Sequence, residues 1–66
     1  MNKQQDEAFD YAAALTELED IARRVEDPET KLDELDRLVA RSRTLIQGCR
    51  AYLRTVRERI DSLEEA

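Results

Sequence analysis

The sequence predicts an all-α fold: an antiparallel two-helix hairpin with coiled-coil packing, of the kind that assembles into helical bundles. Two observations predict it. Apolar residues recur in alternating steps of three and four along two segments, which is the spacing of one face of a helix. The single proline, Pro28, lies between the segments and cannot donate to a continuing helix. A charged fraction of 41% with one glycine is also typical of long helices.

The first segment predicts a short helix over about residues 10–26. Asp10 is a suitable N-cap, since its carboxylate can accept from unpaired backbone N–H groups. In heptad notation, a is occupied by Leu15 and Ala22. The d positions of this helix are Tyr11, Leu18 and Val25. The apolar stripe is widened at g by Ala14 and Ile21.

The connection over residues 26–30 leaves the start of the second helix open between two alternatives. Thr30 can act as its N-cap, or Pro28 can be its first residue with Asp27 as the cap. A connection this short favours antiparallel neighbours in either case.

The second segment predicts a long helix over about residues 31–63. Its a positions are Leu32, Val39, Ile46, Leu53 and Ile60. Its d positions are Leu35, Ser42, Cys49, Val56 and Leu63, and its g positions include Leu38, Leu45 and Tyr52. Gly48 falls at c, on the predicted solvent side, where it costs about 1 kcal/mol relative to alanine.

The two predicted helices differ in length, and this mismatch carries the functional prediction. At 1.5 Å per residue they span about 24 Å and about 50 Å, so the short helix reaches only to about Ile46–Cys49. We expect the hairpin core to be Tyr11, Leu15, Leu18, Ile21, Ala22, Val25, Leu32, Leu35, Leu38, Val39 and Ile46. We expect a partner helix to bind Cys49, Tyr52, Leu53, Val56, Ile60 and Leu63, because they exceed what the chain can bury.

The chain has a net charge of −5 that is unevenly distributed. Residues 1–36 hold 12 acidic and 4 basic residues, whereas residues 37–66 hold 4 and 7, giving −8 and +3. An acidic chain is a poor non-specific ligand for nucleic acid. The asymmetry indicates that the acidic half packs beside the basic half.

The arginines Arg43, Arg50 and Arg57 recur at heptad spacing, all at e. They form either a strip that contacts phosphates or a flank that pairs with acids of a neighbouring helix, which the acidic total favours. In the hairpin, we expect Arg43 to lie near Glu19.

The residue types argue against an enzyme. The chain has no histidine and no glycine-rich phosphate loop, and Cys49 is its only cysteine. Glu17, Glu19 and Asp20 could suggest a metal or acid–base cluster, but they predict a solvated turn. We expect no catalytic residue, no metal site and no cofactor.

The chain shows no apolar segment near the roughly 20 residues that span a bilayer, and its first ten residues are mostly polar. We therefore expect a cytoplasmic protein that does not enter the membrane. Residues 1–9 are expected to be a flexible N-terminus and residues 10–66 a single helical hairpin.

The order of residues over 11–63 resembles the small subunit of bacterial exodeoxyribonuclease VII. The first helix opens with Tyr11, small residues and Leu15, and continues as Leu18-Glu19-Asp20-Ile21, as in that family. Further positions at the family's spacings are Val25, Glu26, Leu32, Leu45, Cys49, Leu53 and Ile60. The chain departs from the family pattern at Pro28, Thr30 and Lys31, in the connection.

The resemblance implies a non-catalytic accessory subunit. The nuclease chemistry would belong to a separate large subunit, and the holoenzyme would degrade single-stranded DNA to oligonucleotides. Small-subunit hairpins would associate with one another and with the large subunit, meeting DNA only indirectly. Two alternatives remain: a free-standing coiled-coil homo-oligomer or adaptor, and a direct single-stranded DNA binder that uses the arginine strip.

Overall fold

The computed structural model describes residues 9–65, which form two helices and no strand. The helix α1 spans Tyr11–Glu26 and α2 spans Leu32–Glu65, with 16 and 34 residues. They run antiparallel, since Glu17 pairs with Arg41 and Arg24 with Glu34. The predicted all-α hairpin is confirmed; the prediction of a flexible N-terminus concerns residues that, apart from Phe9, lie outside the described range.

The start of α1 is fixed by Asp10, as its sequence predicts. The Asp10 carboxylate accepts from the backbone N–H of Ala13 at 2.9 Å, and the Asp10 carbonyl accepts from Ala14 at 3.0 Å. At the other end, Arg23 and Arg24 lie in the last turn, where positive charge offsets the negative end of the helix dipole. These local interactions set the length of α1.

The connection is closed by Thr30, but not in the predicted way. The Thr30 hydroxyl donates to the carbonyl of Arg24 at 2.6 Å, so it caps the end of α1. The helix α2 begins at Leu32, after both predicted start sites, and the carbonyl of Lys31 accepts its first bond from Leu35 at 2.9 Å. Neither Thr30 nor Asp27 therefore caps α2, whereas the predicted range of about 31–63 for this helix is confirmed to within two residues. The Arg24 carbonyl accepts from the backbone N–H of Asp27 at 3.2 Å as well, so the Thr30 hydroxyl is its second donor and serves the end of α1 rather than the start of α2.

The core lies between the g and d positions of the two helices. Its buried residues are Ala14, Ile21, Leu45 and Cys49, and the partly buried residues packed against them are Tyr11, Leu18 and Leu38. Leu35 is half-buried. Because Ala14 is small, it leaves room between the helices for the larger side chains of α2.

Six residues expected in the core lie on the surface of the chain instead. They are Leu15, Ala22, Val25, Leu32, Val39 and Ile46. Conversely, Cys49 was expected to bind a partner and is buried in the hairpin's own core. The helices pack through g and d rather than through a and d, which rotates the a positions out toward solvent.

Three aromatic rings close the hairpin at the start of α1. The rings of Tyr11 and Tyr52 are stacked, with centroids 5.1 Å apart and an interplanar angle of 15°. The Phe9 ring lies 6.1 Å from that of Tyr52 and covers Gly48, where an added Cβ would collide with it. Gly48 is therefore a contact site for Phe9 rather than an open solvent position.

Candidate partner-binding surface

Two ion pairs join the helices along one flank of the hairpin. The guanidinium of Arg41 donates to both carboxylate oxygens of Glu17, at 2.7 and 2.9 Å, in a bidentate arrangement. Arg24 pairs with Glu34 further toward the connection. We call this side, defined by Glu17, Arg24, Glu34 and Arg41, the ion-paired flank.

The ion-paired flank shows where the a positions of both helices point. Each of its four residues follows an a residue by two positions: Leu15, Ala22, Leu32 and Val39, respectively. Two residues correspond to a rotation of about 200° around a helix, so each a residue faces nearly opposite to its ion-pairing neighbour. Both a rows therefore lie together on the side of the hairpin away from the ion pairs.

We call this second side the open face. It consists of Leu15 and Ala22 from α1 and Leu32, Val39, Ile46, Leu53 and Ile60 from α2. Its leucine, isoleucine and valine residues are 40–73% exposed, whereas Leu45, the neighbour of Ile46 on the inner side, is 6% exposed. A contiguous row of large aliphatic side chains differs from the scattered apolar residues of an ordinary surface and makes this face the candidate partner-binding surface.

The end of α2 carries the open face beyond α1. Tyr52 stacks on Tyr11, at the first turn of α1, so residues 53–65 extend past the short helix. In this protruding end, Leu53, Ile60 and Leu63 are 48%, 51% and 76% exposed. Val56 is half-buried. Four of the six residues predicted to bind a partner lie here, while Cys49 and Tyr52 contact α1 or its start.

Arginines form the outer rim of the open face on α2. Among residues 9–65, no carboxylate lies within 4 Å of the guanidinium groups of Arg43, Arg50, Arg54 and Arg57. One shallow depression is lined by Val39, Ser42, Arg43, Ile46, Gln47 and Arg50, and a second by Arg50, Leu53, Arg54 and Arg57. Each depression is lined by at least one large aliphatic residue and two or more arginines.

The expected contact between Arg43 and Glu19 is not among the ion pairs of the described residues. Both residues occupy e, which lies beyond the a row as seen from the contact between α1 and α2. The two side chains therefore flank the open face on opposite edges. The acidic edge of α1 and the basic edge of α2 remain separate within one chain.

The Glu17–Arg41 ion pair shifts the pKa of both of its members. Hydrogen bonds from Arg41 lower the pKa of the Glu17 carboxyl, and the same contact raises the pKa of Arg41. The Asp20–Arg23 pair, at 3.6 Å, lies within α1 and does not link the helices.

The described residues were compared with the requirements of a metal site and of a membrane-spanning helix. Over residues 9–65, no three acidic, cysteine or histidine side chains converge as metal ligands. Neither helix contains a described stretch apolar and long enough to cross a membrane.

The buried positions missed by the sequence prediction are Ala14, Leu45 and Cys49. The sequence carries a signal for Ala14 and Leu45, because both occupy g, as Ile21 does, and widen the apolar stripe there. A stripe covering g, d and a is about 120° wide, and a single neighbour covers only part of it. The heptad pattern identified the stripe without identifying which edge α1 covers.

Comparison with known families accords with this architecture. The family model described as the exonuclease VII small subunit matches residues 11–62, which include all of α1 and most of α2. Comparisons with curated proteins and with solved structures give no significant match. The matched range is the hairpin itself, including the open face and most of the protruding end. The chain belongs to the exonuclease VII small subunit family.

Proposed function

We propose that this chain is the non-catalytic small subunit of exodeoxyribonuclease VII and binds the large catalytic subunit through its open face. The large subunit carries the chemistry that degrades single-stranded DNA to oligonucleotides. The observation that carries the proposal is the exposed aliphatic row of α2, which continues past α1 in a chain of this family. We place the complex in the cytoplasm, where a DNA-degrading partner would meet its substrate.

The protruding end is the part of the open face best suited to a separate partner. It extends past Tyr52 by 13 residues, or about 20 Å, with no α1 beside it. Leu53 and Ile60 are seven residues apart, so they present one stripe to a partner helix lying alongside. Burying two large aliphatic side chains contributes roughly 3–6 kcal/mol before the costs of association.

Co-expression with the large subunit tests the proposal. Leu53→Asp combined with Ile60→Asp places two carboxylates in the stripe, where an apolar interface would have to desolvate them. We expect this variant to lose co-purification with the large subunit and to lower the single-stranded DNA nuclease activity of the complex. The hairpin itself should keep its helicity, since neither residue lies in the core.

Thr44→Asp combined with Ser62→Asp provides the matched control. Both positions are exposed and polar, and neither lies in the a row. This variant adds the same two carboxylates, so it should co-purify like the wild type. Unchanged co-purification and activity in the Leu53/Ile60 variant would show that the protruding end is not the interface.

The second candidate function is a free-standing homo-oligomer or adaptor without a nuclease partner. It is favoured by the continuation of the open face onto α1, at Leu15 and Ala22, because a surface spanning both helices suits another hairpin. Self-association is compatible with both candidates. Pull-down from lysate distinguishes them: recovery of the large subunit supports the nuclease role, whereas recovery of this chain alone supports the homo-oligomer.

Single-stranded DNA contacts the chain only through the large subunit in this proposal. The aromatic rings of Phe9, Tyr11 and Tyr52 are engaged with one another rather than presented beside the arginine rim. Base stacking, which supplies much of the affinity of single-strand binders, would then have no platform there. The isolated chain should show no retention of single-stranded DNA at low salt.

A further inference from the structure

The two edges of the open face carry opposite charges. Residues 37–57 of α2 contain six arginines and no acidic residue. On α1, the apolar pair Leu15 and Ala22 is bordered at e by Glu19 and Glu26, both exposed. Among residues 9–65, no basic side chain lies within 4 Å of either carboxylate. The helix α1 thus presents carboxylates along the open face, and α2 presents guanidinium groups along it.

The spacing of these groups matches in an antiparallel alignment. Glu19 and Glu26 are seven residues apart, as are Arg43 and Arg50. An alignment that places Glu26 opposite Arg43 also places Glu19 opposite Arg50. The same alignment brings the a residues to within one position of each other, with Ala22 beside Ile46 and Leu15 beside Leu53. Apolar and charged rows therefore agree on one register.

Within one chain this alignment cannot form. The inner side of α1 is already packed on α2 through Ile21 and Leu45, and the a rows of both helices point to the same open face. The acidic edge of α1 can therefore reach an arginine rim only on another molecule. The surface is thus incomplete as a monomer and complementary to a second copy.

We propose that α1 of one copy docks on the open face of α2 of a second copy, with Glu26 and Glu19 paired to the partner's Arg43 and Arg50. This rests on the self-association proposed above and requires no large subunit. Pairing α2 with α2 would instead bring the arginine-rich segments together. Pairing α1 with α1 would oppose glutamates and bury only Leu15 and Ala22 on each side.

A charge-exchange experiment on the isolated chain tests this pairing. Variant one carries Glu19→Arg and Glu26→Arg, and variant two carries Arg43→Glu and Arg50→Glu. All four positions are exposed, so both variants should match the wild type in helicity by circular dichroism. Sedimentation equilibrium at physiological salt then measures the association of each variant alone and of an equimolar mixture.

Each variant alone should associate about tenfold or more weakly than the wild type, because like charges then face each other across the interface. The mixture should recover wild-type association, since each α1 then meets an α2 of opposite sign. If variant one alone associates like the wild type, the proposal is overturned in favour of pairing between two α2 helices. If variant two alone associates like the wild type, it is overturned in favour of pairing between two α1 helices.

Two further outcomes would also overturn the proposal. One is a wild-type chain that stays monomeric at all concentrations tested. The other is a mixture that fails to recover association when both variants have lost it. Co-purification with the large subunit is a separate measurement, so failure of this pairing leaves the nuclease role to be judged on Leu53 and Ile60.

Discussion

The two sides of α2 carry the same kinds of apolar residue in different surroundings. Leu45 and Ile46 are adjacent, yet Leu45 is 6% exposed beneath α1 and Ile46 is 40% exposed on the open face. Composition alone does not separate them. The difference teaches that α1 covers one edge of a wide apolar stripe and leaves the other edge exposed.

The charged residues repeat this contrast. On the ion-paired flank, Arg24 and Arg41 meet carboxylates of the opposite helix. Along the open face, Arg43 and Arg50 meet none within residues 9–65. Charge is thus matched within the chain where the fold is closed, and unmatched beside the exposed aliphatic row. We interpret the first side as structural and the second as a binding surface.

The largest expected effect separates Leu45 from Ile46. Leu45→Ala should lower the free energy of unfolding by about 2–4 kcal/mol, since it leaves a cavity in a small core. Ile46→Ala should lower it by less than about 1 kcal/mol, because the side chain is already partly hydrated. Urea unfolding followed by circular dichroism, at concentrations where the chain is monomeric, measures both.

Equal losses for the two variants would break the comparison, since they would show that the open face contributes to the hairpin core. Association with other chains can be measured at the same positions. There, Ile46→Ala should weaken binding to other chains, whereas the conservative variant Ile46→Leu should retain it.

The contact between Phe9 and Gly48 predicts an intermediate effect. In a Phe9→Ala background, Gly48→Ala should stabilise the chain by about 1 kcal/mol, the difference in helix propensity. With Phe9 present, the added methyl group must displace the ring, so the gain should be smaller or absent. A double-mutant cycle of unfolding free energies measures this coupling.

Identical effects of Gly48→Ala in the two backgrounds would contradict the packing of Phe9 on α2. The contact between the start of the chain and α2 would then end at the Tyr11–Tyr52 stack. The open face would be unaffected by that outcome.

The smallest expected effect is the pH dependence of the Glu17–Arg41 pair. Hydrogen bonding holds the pKa of Glu17 below its ordinary value of 4.5 in the folded chain. The pair therefore stabilises the hairpin fully above that pH and loses its contribution as pH falls through the lowered pKa. Glu17→Gln should be less stable than the wild type at pH 7, with the difference shrinking below about pH 4.

Thermal unfolding across pH 2–7, at low and high salt, measures this difference. The pair is exposed, so salt should reduce its effect. A constant difference between Glu17→Gln and the wild type at all pH values would mean that the carboxylate charge is not its source. Arg41→Lys keeps the charge but loses the bidentate geometry, and should lie between the two.

The local elements of the fold could be predicted from the sequence. Pro28 separates the helices, and Asp10 begins α1, because capping and proline effects act over a few residues. The rotation of α1 about its own axis could not be predicted from the sequence. A stripe covering g, d and a can pack through either edge with similar apolar burial. The structure favours g and d, where Ala14 permits close approach and the c positions form two ion pairs.

The candidate site was predicted in part for the same reason. Helix lengths alone indicated that the end of α2 extends past α1, and Leu53 and Ile60 are exposed there. The exposure of Val39 and Ile46, alongside α1, depends on the rotation and was missed. Cys49 was assigned to the surface by counting length, although its d position turns inward to α1.

Hydrogen exchange of the chain, free and in complex with the large subunit, tests the central claim most directly. In the free chain, amides of residues 53–63 should exchange faster than those of residues 38–49, which lie beneath α1. Binding should slow exchange in residues 53–63 by about tenfold or more. If the complex forms while residues 53–63 keep their free-chain exchange rates, the open face of the protruding end is not the binding surface.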